Sequence, residues 1–137
     1  MALRIRRIHY YSTTVRDAPG EGYRVLSALA EQQVNLVAFN GVPIGSSLTQ
    51  LTLFPDDESL FVNAAEKSGL KLEGPHFALL VQGDDQFGAI AEIHRRLSAA
   101  KVNVYASNGV ADGVGGYGYV LHVRPEHFEN AVQALGV

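Results

Sequence analysis

The sequence predicts an α+β protein made of two copies of one β-α-β-β-α-β unit, and three observations predict it. Apolar residues make up 47% of the 137 positions and charged residues 18%, a balance that supports a packed core at a length where folding buries roughly 68% of the chain's surface. Apolar spacing switches repeatedly between a period of two and a period of 3.6. The chain also matches itself when displaced by about 68 positions. Asp17 then falls on Asp85, Gly20 on Gly88, Leu29 on Leu97, Val34-Asn35 on Val102-Asn103, Ala38 on Ala106, and Asn40-Gly41-Val42 on Asn108-Gly109-Val110. The copies span residues 1–73 and 74–137 and join near Glu73-Gly74-Pro75.

In the first copy, residues 8–15 are rich in Tyr, Thr and Val and predict a strand. Tyr23, Leu26, Leu29, Ala30 and Val34 sit at helical spacing and predict one apolar stripe. Asp17 is a candidate N-cap, with Pro19 in the first turn, where its missing N–H costs nothing. Residues 36–42 form a short apolar strand, 43–47 a turn, and Leu51-Thr52-Leu53 alternates like a half-buried strand. Leu60, Phe61, Ala64 and Ala65 mark a second helix that stops at Gly69. Leu70-Lys71-Leu72 closes the unit as a last strand.

The second copy repeats the order. Residues 77–81 are a strand, Ile90, Ile93 and Leu97 a helix stripe, 102–110 and 117–123 a hairpin, and Phe128, Ala131, Val132 and Leu135 the last helix. Its final strand is missing or vestigial. This order packs two helices on one face of an antiparallel sheet, the ferredoxin-like arrangement. The exposed second face of a lone unit and the edge left by the missing strand both need cover, which argues that the copies pair with each other and with a second chain. The N-terminal stretch 2–8, with Leu3 and Ile5 alternating against Arg4 and Arg6, is a candidate to extend or cover an edge.

Composition excludes several functions. The count of 11 Lys+Arg against 14 Asp+Glu, a net charge of -3, disfavours nucleic-acid binding. The absence of cysteine removes disulfides, thiolate metal sites and thiol nucleophiles. The uncharged stretch 34–55 contains too many Asn, Gly, Pro and Ser residues for a membrane span and fits a buried hairpin. No targeting segment is visible, so a cytoplasmic protein without membrane association is expected. His9, His76, His94, His122 and His127 show no ligand spacing, so neither a metal nor a cofactor is expected. His94 is expected on a helix facing solvent and His122 on the polar face of a strand. The Gly113–Gly118 run lacks the Lys-Ser/Thr of a phosphate loop and leads into a strand, which predicts a hairpin loop.

A strand, Asp17-Ala18-Pro19-Gly20, an amphipathic helix, Val34-Asn35-Leu36 and a second strand together resemble the ACT domain. Asp85-Gln86-Phe87-Gly88 through Val102-Asn103-Val104 resembles the same module, with Phe87 standing where the first copy has Pro19. The resemblance covers almost the whole chain. It implies a non-catalytic, stand-alone tandem regulatory protein that binds an amino acid or similar small metabolite at ACT–ACT interfaces. It also implies a homo-oligomer, most simply a dimer, and a regulated enzyme the sequence does not name. Carried over by position, the ligand contacts are Asp17, Ala18, Pro19, Gly20 and Asn35 in the first copy, and Asp85, Gly88 and Asn103 in the second.

These residue types suit a zwitterion. Glycine at a helix start allows close approach to the backbone. Free N–H groups and the helix dipole there favour a carboxylate. An Asp or Asn oxygen accepts from the ammonium. Other readings stand beside this one. Asp17 and Asp85 suit helix caps. Asn35 and Asn103 suit a left-handed helix stop, and the two Asn-Gly pairs suit turns or bulges. A ligand-free protein–protein interaction module, or an enzyme on a ferredoxin-like scaffold, are the alternative functions.

Overall fold

The computed structural model describes residues 3–137; Ala2, part of the expected edge-covering stretch, lies outside them. The chain is α+β and divides into two compact units. One is His9–His76; the other combines residues 3–8 with Phe77–Val137.

The first unit draws on β1 (Arg4–Arg16), α1 (Glu21–Glu31), β2 (Leu36–Ile44), β3 (Leu48–Pro55) and α2 (Glu58–Ser68). Its strand order is β2-β3-β1. Tyr11 lies opposite Leu53 and Arg16 opposite Leu48 in the antiparallel β1–β3 pair. Alternation sends Tyr11, Val15, Leu51 and Leu53 to one face, where Val25 and Leu29 of α1 and Phe61 and Ala64 of α2 close the core. The expected α1 stripe is rotated: Val25 is buried, while Tyr23 is 77% exposed. Tyr23 is two residues from Val25, about 200° around the helix, so the two cannot share a face. Turn residues are Gly45–Ser47, with Gly45 at φ +66°; Pro43 and Ile44 extend β2 instead.

Helix α2 has the predicted C-terminal stop at Gly69 and an N-cap that was not predicted. Asp57 caps it by accepting from the Leu60 N–H at 3.1 Å, and Gly69 ends it at φ +73°. The Leu70 N–H then turns back to the Ala65 carbonyl at 2.9 Å. That bond ties Leu70 to the helix end, so Leu70-Lys71-Leu72 is not the expected strand. The strand begins later, as β4 (Glu73–Asp84), and contains Glu73-Gly74-Pro75. Gly74 lies against β1: a Cβ there would sit 2.9 Å from the Tyr10 carbonyl oxygen.

A hydrogen-bonded trio fixes α2 to β1. His9 Nδ1 and Glu58 Oε1 are 2.7 Å apart, and the Tyr11 hydroxyl donates to Glu58 Oε2. Burial, with the Glu58 carboxylate beside it, pushes the Tyr11 phenol up to about 12; the bonds from Tyr11 and His9 hold Glu58 below the usual range. The raised Tyr11 value means that its stabilisation is complete below about pH 10 and is lost as pH rises through 12. In an alkaline absorbance titration, one of the six tyrosines is expected to ionise near pH 12. That late step is expected to vanish in Tyr11→Phe.

The second unit holds the rest of β4, α3 (Ala89–Ala99), β5 (Ala106–Ala111), β6 (Gly116–His122), a 3-10 turn (Pro125–His127) and α4 (Phe128–Leu135). Its order is β4-β6-β5, with Leu79 opposite Leu121 and Ala106 opposite His122. Leu79, Val81, Tyr117, Tyr119 and Leu121 pack under Ile93 and Leu97 of α3 and the predicted Phe128, Ala131, Val132 and Leu135 of α4. Asp112 shapes the hairpin by accepting from the Val114 and Gly116 N–H groups at 2.7 and 3.0 Å, bonds that lower its pKa.

The free edge expected in this unit is occupied by the N-terminal half of β1. Ile5 packs on the core, the Arg4 guanidinium donates to Gln82 at 3.1 Å, and a Cβ on Gly83 would lie 2.9 Å from Leu3 Cδ1. Arg7 reaches Glu129 of α4 at 3.3 Å. The edge left by the missing strand is therefore covered by residues of the same chain. The Asn-Gly pairs are neither turns nor bulges. Asn40-Gly41 runs inside β2, whose register shift falls between Leu36 and Ala38. Asn108-Gly109 runs inside β5. Glycine fits at 109 because a Cβ would meet the Tyr119 ring at 2.9 Å. Among the described residues, no helix is long and apolar enough to cross a membrane.

Candidate ligand-binding loops

The β1–α1 and β4–α3 loops are built alike. Asp17 donates its N–H to the Ser47 carbonyl at 2.9 Å, and Asp85 to the Gly115 carbonyl at 3.0 Å, so each loop is tied to the hairpin turn of its own unit. Gly20 stands at φ +88° and Gly88 at φ +78° as the residue before each helix. That left-handed backbone requires glycine. A Cβ on either would have nothing within 4 Å, so the approach to the helix start is open. Each glycine carbonyl accepts the first helical bond, from Arg24 and from Glu92, at 2.9 Å.

The expected caps are corrected by this geometry. Neither Asp17 nor Asp85 caps a helix: the N-cap residues are Gly20 and Gly88, and neither helix start has a side-chain cap bond. Pro19 lies in the loop before the helix. The Glu21 and Ala89 N–H groups donate to the Ala18 and Gln86 carbonyls at 3.3 and 3.2 Å, and no side chain caps the first-turn N–H groups that follow. Asn35 and Asn103 are not the left-handed stops either. Gln33 (φ 62°) and Lys101 (φ 60°) take that conformation. The next N–H groups, Val34 and Val102, return to Leu29 and Leu97 at 3.0 and 2.9 Å.

In the second unit, two cavities open on either side of Gly88. One of about 310 Å³ is bounded by Leu3, Asp84, Phe87, Glu92, Arg96 and Tyr117. The other, of about 510 Å³, runs past Asp85 to Ile90, Gly109 and Val110. Asp85 and Gly88 therefore border the same opening. Asn103 does not. It lines a hollow of about 370 Å³ with His94 and Lys101, past the other end of α3, about 16 Å of helix away from Gly88. Asn35 likewise follows the far end of α1 from Asp17, Ala18, Pro19 and Gly20.

Asp84, Glu92 and Arg96 bring charge to the smaller cavity. Hydrogen bonds from Arg95 at 2.8 Å and Arg96 at 3.1 Å hold the Glu92 carboxyl down to about 2, so it stays ionised. Glu92, Arg96, Leu3 and Tyr117 were not legible as site residues. On a helix stripe or a strand they carry ordinary spacing, and only the fold brings them to Gly88. His94 does not face solvent: its Nε2 lies 2.6 Å from the Tyr119 hydroxyl.

No family model matches the sequence, and no curated protein matches it. Solved structures do resemble it in fold. A protein from Bacteroides thetaiotaomicron superposes with a TM-score of 0.82 at 16% identity, covering 96% of this chain and 88% of that one. The ligand-free regulatory subunit of aspartate kinase from Thermus thermophilus gives 0.64 at 15% identity, over 98% and 94%. A structure of aspartokinase alpha and beta subunits gives 0.62 at 16%, over 98% and 95%. The chain thus has the ACT-type α+β fold that it shares with the regulatory subunit of aspartate kinase.

Proposed function

We propose that this protein is a non-catalytic regulator built of two ACT-like repeats, 1–73 and 74–137, that binds an amino acid or a similar small metabolite. The observation that carries the reading is the pair of open loops, each led by a left-handed glycine into an uncapped helix start. Backbone N–H groups there suit a carboxylate, and Asp17 or Asp85 beside them suits an ammonium. The shared fold with a regulatory subunit of aspartate kinase supports the same role. Asn35 and Asn103 lie too far along their helices to join the loop of their own repeat, so they serve the loop of a second copy of the chain in a homodimer. Phe39, Val42 and Ile44, exposed along β2, suit that pairing.

Ligand binding stabilises the folded form by mass action. Melting the protein with each of the twenty amino acids at 10 mM, an excess of about a hundredfold over a Kd of 0.1 mM, is expected to raise the Tm for one chemical group of them. No rise with any of the twenty would overturn the proposal. An unchanged size by light scattering, with and without ligand, at the mass of one chain would remove the homodimer.

A further inference from the structure

We propose that Tyr117 sets the specificity of the cavity beside Gly88, and that the amino acid taken there carries a hydroxyl or carboxamide on its side chain. This rests on the reading that the loops take amino acids.

Tyr117 is only 8% exposed, and its hydroxyl has no hydrogen-bond partner. Buried hydroxyls without partners are rare and costly, and each one calls for an explanation. Tyr119 makes the contrast. It projects from β6 to the same face, and its hydroxyl meets His94 of α3. Tyr117 stands two residues earlier, opposite the start of that helix, and borders both cavities.

The ring is held in place. A Cβ on Gly83 would lie 3.2 Å from Tyr117 Cε1 and 2.9 Å from Leu3 Cδ1, so glycine there lets ring and leucine close over β4. Burial raises the phenol pKa, which keeps the hydroxyl protonated and able to donate. Leu3 and Ile93 give the cavity apolar walls and Asp84, Gln86, Glu92 and Arg96 line it too; among these described residues, the Tyr117 hydroxyl is the buried side-chain polar atom without a partner. A site that hydrogen-bonds a side-chain group rejects the isostere lacking it more strongly than an apolar pocket rejects an added hydroxyl.

The test is isothermal titration of the full chain with threonine against valine, serine against alanine, and asparagine against leucine. The wild-type protein is expected to favour the polar member of at least one pair by about tenfold or more, the effect of one well-made hydrogen bond. In Tyr117→Phe that preference is expected to disappear, with the melting temperature of the free protein unchanged or raised. Tyr119→Phe is expected to keep the preference and to melt lower. A wild-type protein that binds amino acids but favours the polar member of none of the three pairs overturns the proposal, whether or not Tyr117→Phe folds. So does a folded Tyr117→Phe that retains the preference. In both cases amino-acid binding itself still stands. A wild-type protein that binds none of the twenty brings down both readings.

Discussion

Deleting residues 1–8 is expected to destabilise the second unit by about 2–4 kcal/mol, the loss of one buried and one partly buried isoleucine side chain. Ile8 is buried and Ile5 packs on the Leu79–Val81 core. The deletion also uncovers β4, leaving a row of unpaired backbone groups that invites association. Urea unfolding measures the first effect. Amide exchange measures its location: protection is expected to fall at Leu79, Val81 and Leu121. A truncated chain with wild-type stability would show that the N-terminal half of β1 is not part of this core.

Phe61→Ala is the second large effect. Phe61 is wholly buried, its ring centroid 5.1 Å from that of Tyr11, and it touches the side of the core formed by Val25 and Leu29. Truncating a buried phenylalanine costs about 3–5 kcal/mol because the cavity does not fully collapse. The chain has no tryptophan and six tyrosines, so tyrosine fluorescence follows the unfolding. Loosening Tyr11 in this variant is also expected to bring its ionisation back toward ordinary tyrosine values.

The order of elements was legible because each helix carries its own apolar stripe and each strand its alternation. Of the second-repeat stripe, Ile93 and Leu97 are buried while Ile90 is exposed, and the whole of the α4 set is buried. Errors arose where a local signal admitted two geometries. Asp17 with Pro19 two residues on suits a cap, yet Gly20 takes the N-cap position in a conformation that only glycine holds cheaply. Asn35 suits a left-handed stop, but Gln33 already makes that turn. Leu70-Lys71-Leu72 alternates like a strand, but the helix end claims its backbone. The alternation of Leu3 and Ile5 marked residues 3–8 as a stretch that extends or covers an edge, but its place beside β4 was not legible, because pairing between distant segments leaves no local pattern. The same holds for the candidate site. Asp85 and Gly88 stood out as a repeated motif, whereas Tyr117, Glu92 and Arg96 meet them only through the packing of α3 on β6.

The central claim is that a small zwitterion settles on the backbone at Gly20 and Gly88. Its most direct test is an amide NMR titration of the full chain with each of the twenty amino acids. Saturable shifts are expected at Gly20, Gly88 and the first-turn amides of α1 and α3, with the ligand that raises the Tm. An unmoved spectrum at those amides, or shifts confined to other surfaces, would contradict the account.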